Sequence, residues 1–308
     1  MIRMQTAARH KDLAHHSSSM QENRIGWLFI FPSLLGFLFF FLVPILIGAG
    51  FSFTDASGLS LSNFKFVGFD NYVSLFSDKY FLTSLKNNII YAALFTPLTL
   101  FLALFFALIL NHVKFGRKFF RVCYFLPYIT SMVSIAIVWK LIFNPVNGPL
   151  NTVLMFLGIT EPPKWLLSSR WAIYAIIIIS VWKYFGYYML ILLAGLQTIP
   201  SHLYESADID GAGSVRKFFK ITLPLLSPTI FLCVVMLIIN SFQVFDLVSV
   251  LTDGGPGMST NVLVYRIYVE GFSYSKIGYA SAISYFLFLV VLAITGFQFI
   301  GQKYWVHY

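Results

Sequence analysis

Long apolar runs alternate with short polar stretches along most of the chain. A helix needs about 20 apolar residues to cross the hydrocarbon core of a bilayer. Six segments reach that length: 27–53, 87–110, 120–143, 171–197, 229–250 and 277–300. The pattern therefore predicts an all-α, polytopic membrane protein with six transmembrane helices. Pro32, Pro44 and several glycines predict a kink in the first run, and Pro127 interrupts the third. Pro224 and Pro228 fall just before the fifth, where they suit a helix start or a break. Asn144-Pro145, Asn147-Gly148-Pro149, Pro162-Pro163 and Asp253-Gly254-Gly255-Pro256 mark turns in the polar connections. Trp27, Trp165, Trp171 and Trp305 fall near the ends of runs, as an interfacial aromatic belt requires.

Composition agrees with this pattern. The chain is 58% hydrophobic and 11% charged, where a soluble domain carries about 25% charged residues. Six spans place both termini on one side. Segments 1–26, 111–121, 198–228 and 301–308 hold twelve Lys and Arg, against seven in 54–86, 144–170 and 251–276. This bias puts both termini and the 198–228 segment in the cytoplasm. It also accounts for the net charge of +9 without nucleic acid as a partner. Cys123 and Cys233 lie in apolar surroundings and show no metal-ligand spacing. His10, His15, His16, His112, His202 and His307 all fall in expected tails or inner loops. A phosphate-cradling loop needs Gly-Lys, a dipeptide the chain lacks. No catalytic grouping and no metal site is expected, so the reading is not that of an enzyme.

The 198–228 segment is the most polar interior stretch. Its acidic first half carries Glu205, Asp208 and Asp210, and its basic second half carries Arg216, Lys217 and Lys220. Gly211 and Gly213 permit a sharp turn with positive φ. The segment therefore reads as a helix over 203–209, a glycine turn, and a second helix over 214–222. Such a unit presents a small exposed knob while its apolar side rests on the bundle.

Its spacing, Glu205-Ser206-Ala207-x-x-Asp210-Gly211-Ala212 followed by Ile221-x-Leu223-Pro224, resembles the cytoplasmic coupling loop of permease subunits of ABC importers. Ser206 stands where the family often has Ala. The resemblance runs over about residues 27–300. It includes Phe31-Pro32-Ser33-Leu34-Leu35-Gly36, Phe51-Ser52-Phe53-Thr54 and Phe66-Val67-Gly68-Phe69-Asp70-Asn71-Tyr72. Tyr124-Phe125-Leu126-Pro127, Trp139-Lys140, Phe143-Asn144-Pro145, Leu193-Ala194-Gly195-Leu196-Gln197 and the 251–256 turn continue it. These stretches look like carbohydrate-importer permeases, and the opening is similar to the family of the larger maltose permease subunit. The resemblance implies a tail over 1–26 and a transmembrane permease domain over 27–308, with a core region at about 83–300. It implies that 205–211 inserts into an ATPase subunit, with Glu205, Ser206, Ala207, Asp210, Gly211 and Ala212 as the coupling residues. It also implies a second homologous permease, two ATP-binding subunits that hold ATP and Mg, an extracytoplasmic solute-binding protein, and a bacterial inner-membrane location.

Polar residues inside the runs are candidates for a substrate pathway, because an intramembrane charge needs a partner or water. Lys140 lies near the outer end of its run and is expected to snorkel outward. Lys183 lies about 18 Å into the fourth, near the midplane. Tyr187 follows one turn later. Asn240, Gln243 and Asp246 step by three and form one drifting stripe on the fifth run. Ser281, Ser284 and Tyr285 in the sixth, and Thr130, Ser131 and Ser134 in the third, add hydroxyls. The assigned pathway set is Lys183, Tyr187, Asn240, Gln243, Asp246 and Ser284. Such residues also glue helices together in membranes, and both roles stay open here. The expected activity is inward movement of a sugar or oligosaccharide driven by ATP. A glycerol phosphate or other polar solute is the alternative cargo. An ion-coupled secondary transporter is the rival class, but no repeated half is visible.

Overall fold

The computed structural model describes residues 26–58, 64–113 and 115–306. The tail expected over 1–26 lies outside the described residues except for Gly26, as do His10, His15, His16 and His307. The described chain is helical, with Thr54 and Phe66 in an isolated β-bridge.

Five helices are long and apolar enough to cross a membrane, and a bent pair passes the same test when its two halves are taken together. They are α1 (Gly26–Ser52), α3 (Lys79–His112), α7 (Ala172–Gln197), α9 (Ser214–Phe242) and α12 (Ile277–Tyr304), with the pair α4 (Arg117–Ile129) and α5 (Met132–Ile142). Short helices fill the connections: α2 (Asp70–Ser77), α6 (Pro149–Phe156), α8 (Ser201–Ile209), α10 (Asp246–Leu251) and α11 (Leu263–Tyr268).

Helix α7 is the hub. It packs along α3 and also meets α4 and α9. Ile176, Ile179, Tyr188, Met189 and Leu192 of α7 join Phe95, Ala103 and Ala107 of α3 in one buried cluster. Small alanines on α3 let the two backbones approach, as membrane helix interfaces favour. Gly186 shows the closest approach of all. A Cβ built there would lie 1.8 Å from the Tyr124 carbonyl oxygen of α4. Helix α1 is peripheral and packs on α12. Phe29 and Phe40 of α1 are each 79% exposed, so most of its apolar surface is left without a partner among the described residues.

Three boundaries differ from the sequence expectation. The third span is not one helix: α4 and α5 meet at 96° across Thr130-Ser131. Thr130 is extended with ψ of 143°, and Ser131 is also non-helical with ψ of 132°. The fifth helix starts at Ser214 rather than near 229, so the second half of the inner loop and the span are one rod. A π turn at Phe218–Thr222 makes this possible. Leu223 donates its N–H to Phe218 O, five residues back. That widens the turn where the Pro224 ring would otherwise strike the carbonyl four residues back. The same device, Val43 N–H to Leu38 O, precedes Pro44 in α1, where a kink was expected. At the other end α9 stops at Phe242, and α10 begins afresh at Asp246. Asn240, Gln243 and Asp246 therefore do not share one helical stripe.

The connections on the side opposite the 198–228 segment carry a buried ion network. Arg266 of α11 bonds Glu270, lies 3.7 Å from Asp78, and stacks 4.5 Å over the Tyr80 ring. Asp78 caps α3 by accepting from Tyr80 N–H and also accepts from Tyr279 OH of α12. Nearby, Trp165 is not an interfacial anchor. It is 9% exposed, packs on Phe143, and donates Nε1–H to Asn151 at 2.6 Å. Buried indoles find such partners because an unpaired N–H is costly.

Candidate functional site: an inner knob and a polar zone between broken spans

The knob in the 198–228 segment is built by a helix stop. Helix α8 ends at Ile209, and Asp210 is its C-cap. Gly211 then takes φ 72°, as the sequence required. Its N–H bonds Asp208 O at 3.1 Å, and Ala212 N–H bonds Ala207 O at 2.8 Å. This pair of bonds is the Schellman arrangement, which satisfies the last carbonyls of α8 and needs a left-handed residue. Lys217 clamps the turn by bonding Asp208 at 2.6 Å, and Tyr204 OH meets Thr222 Oγ1 at 2.9 Å. These contacts tie the knob to the base of α9. Glu205, Ser206, Asp210 and Gly211 are exposed on it, while Ala207 and Ala212 are half-buried.

The apolar residues of this loop do not all rest on the bundle, contrary to expectation. Ile209 is 88%, Val215 72% and Phe219 58% exposed. The π turn rotates this helix relative to a straight continuation, and only Phe218 and Ile221 are half-buried. The loop therefore offers an apolar rim around an acidic tip.

The second region lies where span three and span five are broken. Lys183 is 5% exposed, and its Nζ donates to Pro127 O at 3.0 Å, Tyr128 O at 3.1 Å and Thr130 O at 2.6 Å. Beside it, Tyr128 and Tyr187 stack at 4.3 Å between ring centroids with planes 8° apart. Tyr184 meets Tyr128 edge-on at 5.8 Å, and Tyr188 meets Tyr187 at 5.2 Å. Asn240 donates to Tyr188 OH at 2.8 Å. Asp246 lies near enough for its charge to act on Lys183 and Tyr184. Gln243 is exposed at the C-cap of α9.

Lys183, Tyr187, Asn240 and Asp246 are thus gathered in one zone. Ser284 stands apart. It donates to Ala280 O and lines a cleft of about 370 Å³ between α1 and α12, with Pro44, Gly48 and Tyr285. Lys140 is exposed and lines a cleft with Asn144, Thr252 and Pro256. Sequence reading missed Tyr128, Tyr184 and Tyr188. A signal existed for two of them: residues 183, 184, 187 and 188 share one face of a helix by their spacing. Tyr128 was invisible because it joins from across a break. Among the described residues, no group of three or more His, Cys, Asp or Glu is placed to hold a metal ion.

Comparison with known proteins gives a consistent result. Residues 96–305 match the family described as binding-protein-dependent transport system inner membrane component. The chain is 38% identical to the probable ABC transporter permease protein YesP of Bacillus subtilis, covering 94% of each chain. It is 36% identical to the sn-glycerol-3-phosphate transport system permease protein UgpA of Yersinia pestis, covering 89% of this chain and 92% of that one. Among solved structures, a chain of a bacterial ABC transporter involved in import of the acidic polysaccharide alginate superposes with a TM-score of 0.81 at 26% identity. That match covers 93% of this chain and 97% of the other. A second alginate ABC transporter structure, in complex with an alginate pentasaccharide-bound periplasmic protein, gives a TM-score of 0.82 at 25% identity, over 93% and 96%. With its helical spans, its inner loop and these matches, the chain belongs to the binding-protein-dependent transport system inner membrane component family, the multi-pass permeases of ABC importers.

Proposed function

We propose that this permease moves a saccharide inward, delivered by an extracytoplasmic binding protein and driven by ATP hydrolysed on partner subunits. The acidic knob at Glu205–Gly211 carries the coupling half of this reading. An exposed tip with an apolar rim suits a groove on an ATP-binding subunit, so that closure of the ATPase pair moves α8 and, through the continuous rod α9, the span itself. ATP and Mg belong to two such partner subunits. A second homologous permease would cover the bare apolar face of α1, which favours a heterodimer in a bacterial inner membrane. The excess of Lys and Arg on the inner segments supports an orientation with both termini cytoplasmic.

The cargo reading rests on the zone around Tyr187. Sugars take hydrogen bonds from amides and lie against aromatic faces, and Tyr128, Tyr184, Tyr187 and Tyr188 with Asn240, Gln243 and Asp246 supply both. A glycerol phosphate, as in the UgpA relative, would need a free cationic donor at that depth. The three N–H donors of Lys183 are already used. Alginate import by the solved relatives supports a saccharide.

Asn240→Ala and Gln243→Ala are expected to lower uptake or shift the accepted saccharides, while the complex assembles and its basal ATPase persists. Each amide contributes about 0.5–1.5 kcal/mol, more where Tyr188 OH loses its partner. Variants that fail to assemble but transport normally once assembled would make these residues helix glue instead. Orientation is tested by single cysteines in a background lacking Cys123 and Cys233. An impermeant thiol reagent added outside should label Asn147→Cys and spare Ser214→Cys. The reverse pattern would invert the topology.

A further inference from the structure

The break in span three creates a physical problem that Lys183 answers. Helix α4 ends partway along span three, at the break before α5, so its last carbonyls have no partner one turn on. In hydrocarbon such groups must be satisfied inside the protein. A helix C-terminus also carries partial negative charge, which favours a cation.

The ammonium of Lys183 meets most of this need, and Thr130 Oγ1 donates to Leu126 O at 2.9 Å. The ammonium bonds the carbonyls of Pro127, Tyr128 and Thr130 at 2.6–3.1 Å. A lysine has three N–H donors and no acceptor, so none is left for a sugar hydroxyl in this state. Residues on both sides fix the cage. Gly186, one turn along α7, sits against Tyr124 O of the same helix end, and Tyr187 stacks on Tyr128. Asp246, at the start of the helix beyond the second break, is the acidic group whose charge reaches Lys183. Half-helix ends near the midplane hold coupling cations in ion-driven carriers. Here the cation is covalently part of the neighbouring helix.

We infer that Lys183 is a positioning residue, a tethered cation that holds the break of span three in shape and so sets where Tyr128 and the outer half, α5, stand beside the pathway. This goes beyond the import reading, which it needs only for the transport readout. The role belongs to a small N–H-bearing cation in a carbonyl cage, not to a contact with cargo.

The test uses the assembled transporter with Lys183→Ala and Lys183→Met. Loss of a charge-assisted anchor of this kind should cost transport about tenfold or more in both. In Lys183→Ala the emptied space is open, and n-propylammonium should restore much of the uptake. Tetramethylammonium, which has no N–H, should not. Lys183→Met fills the space and should show no rescue. Spin labels at Val122→Cys on α4 and Val138→Cys on α5, in a background without the native cysteines, supply a readout independent of cargo. Their distance distribution should broaden in Lys183→Ala and narrow again with n-propylammonium. An unchanged distance distribution with an altered choice of saccharide and no rescue would overturn the inference and make Lys183 a cargo ligand. If Lys183→Ala does not accumulate, Lys183→Arg decides. Partial transport with the wild-type choice of saccharide and a retained distance distribution supports the cage role, and an altered choice of saccharide with that same distribution overturns it.

Discussion

Reversing the charge at Glu205, or placing valine at Gly211, should leave the protein in the membrane and cut transport about tenfold or more. The two substitutions act by different physics. Glu205 is exposed, and surface changes away from special features usually alter stability by about 0.5 kcal/mol or less. Glu205→Lys should therefore fold and assemble, but present a repelling or unpaired charge to the ATPase groove. Gly211 has nothing within 4 Å of a built Cβ, so its constraint is the φ of 72° alone. A non-glycine residue in that region costs roughly 1–2 kcal/mol, and a branched Cβ makes it worse. Gly211→Val should unlock the two bonds that close α8 and blunt the knob. Gly211→Ala should fall between valine and wild type. Binding-protein-stimulated ATPase activity should drop along with uptake, because both pass through the same contact. Wild-type uptake by Glu205→Lys and Gly211→Val at normal abundance would defeat the coupling assignment.

Gly186→Ala should be the most damaging small substitution in the core. The added carbon would lie 1.8 Å from Tyr124 O and 2.5 Å from its carbonyl carbon. Both are backbone atoms, and no flexible side chain is there to move aside. Helices α4 and α7 would have to separate, which also pulls Lys183 from its carbonyls and Tyr187 from Tyr128. Overpacking typically costs about 1–3 kcal/mol, and a backbone clash belongs at the upper end. Abundance in the membrane should fall, and the midpoint of thermal unfolding in detergent should drop by several degrees. A normal midpoint and normal abundance would show that the approach of α4 to α7 is looser than described.

Particular residues show what the sequence made legible. Hydropathy alone locates six apolar segments, and glycine at 211 announces a left-handed turn. Depth along a run also showed that Lys183 needed a partner. The partner itself was hidden, because backbone carbonyls leave no mark in the sequence, and only the break at Thr130-Ser131 turns them toward α7. The same break hid Tyr128. Hydropathy is equally blind to bends, since apolar residues suit a straight helix and a 96° corner alike. Pro224 misled for the opposite reason. It reads as a boundary, yet a π turn absorbs it and the rod continues from Ser214. Asn240, Gln243 and Asp246 were spaced for one helix, but chain interruption at 243–245 is a tertiary choice. Helix α10 can start again there because Leu247, Val248 and Leu251 find buried places in the core.

The central claim is that this chain carries a saccharide inward under ATP control through its inner knob. Its most direct test is uptake into proteoliposomes containing this chain, its partner permease and its ATP-binding subunits, with a saccharide-loaded binding protein outside. The account predicts uptake that needs ATP inside and the binding protein outside, and that Glu205→Lys abolishes while the complex stays assembled. Uptake driven by an ion gradient without ATP, or undiminished in the Glu205→Lys complex, would contradict it.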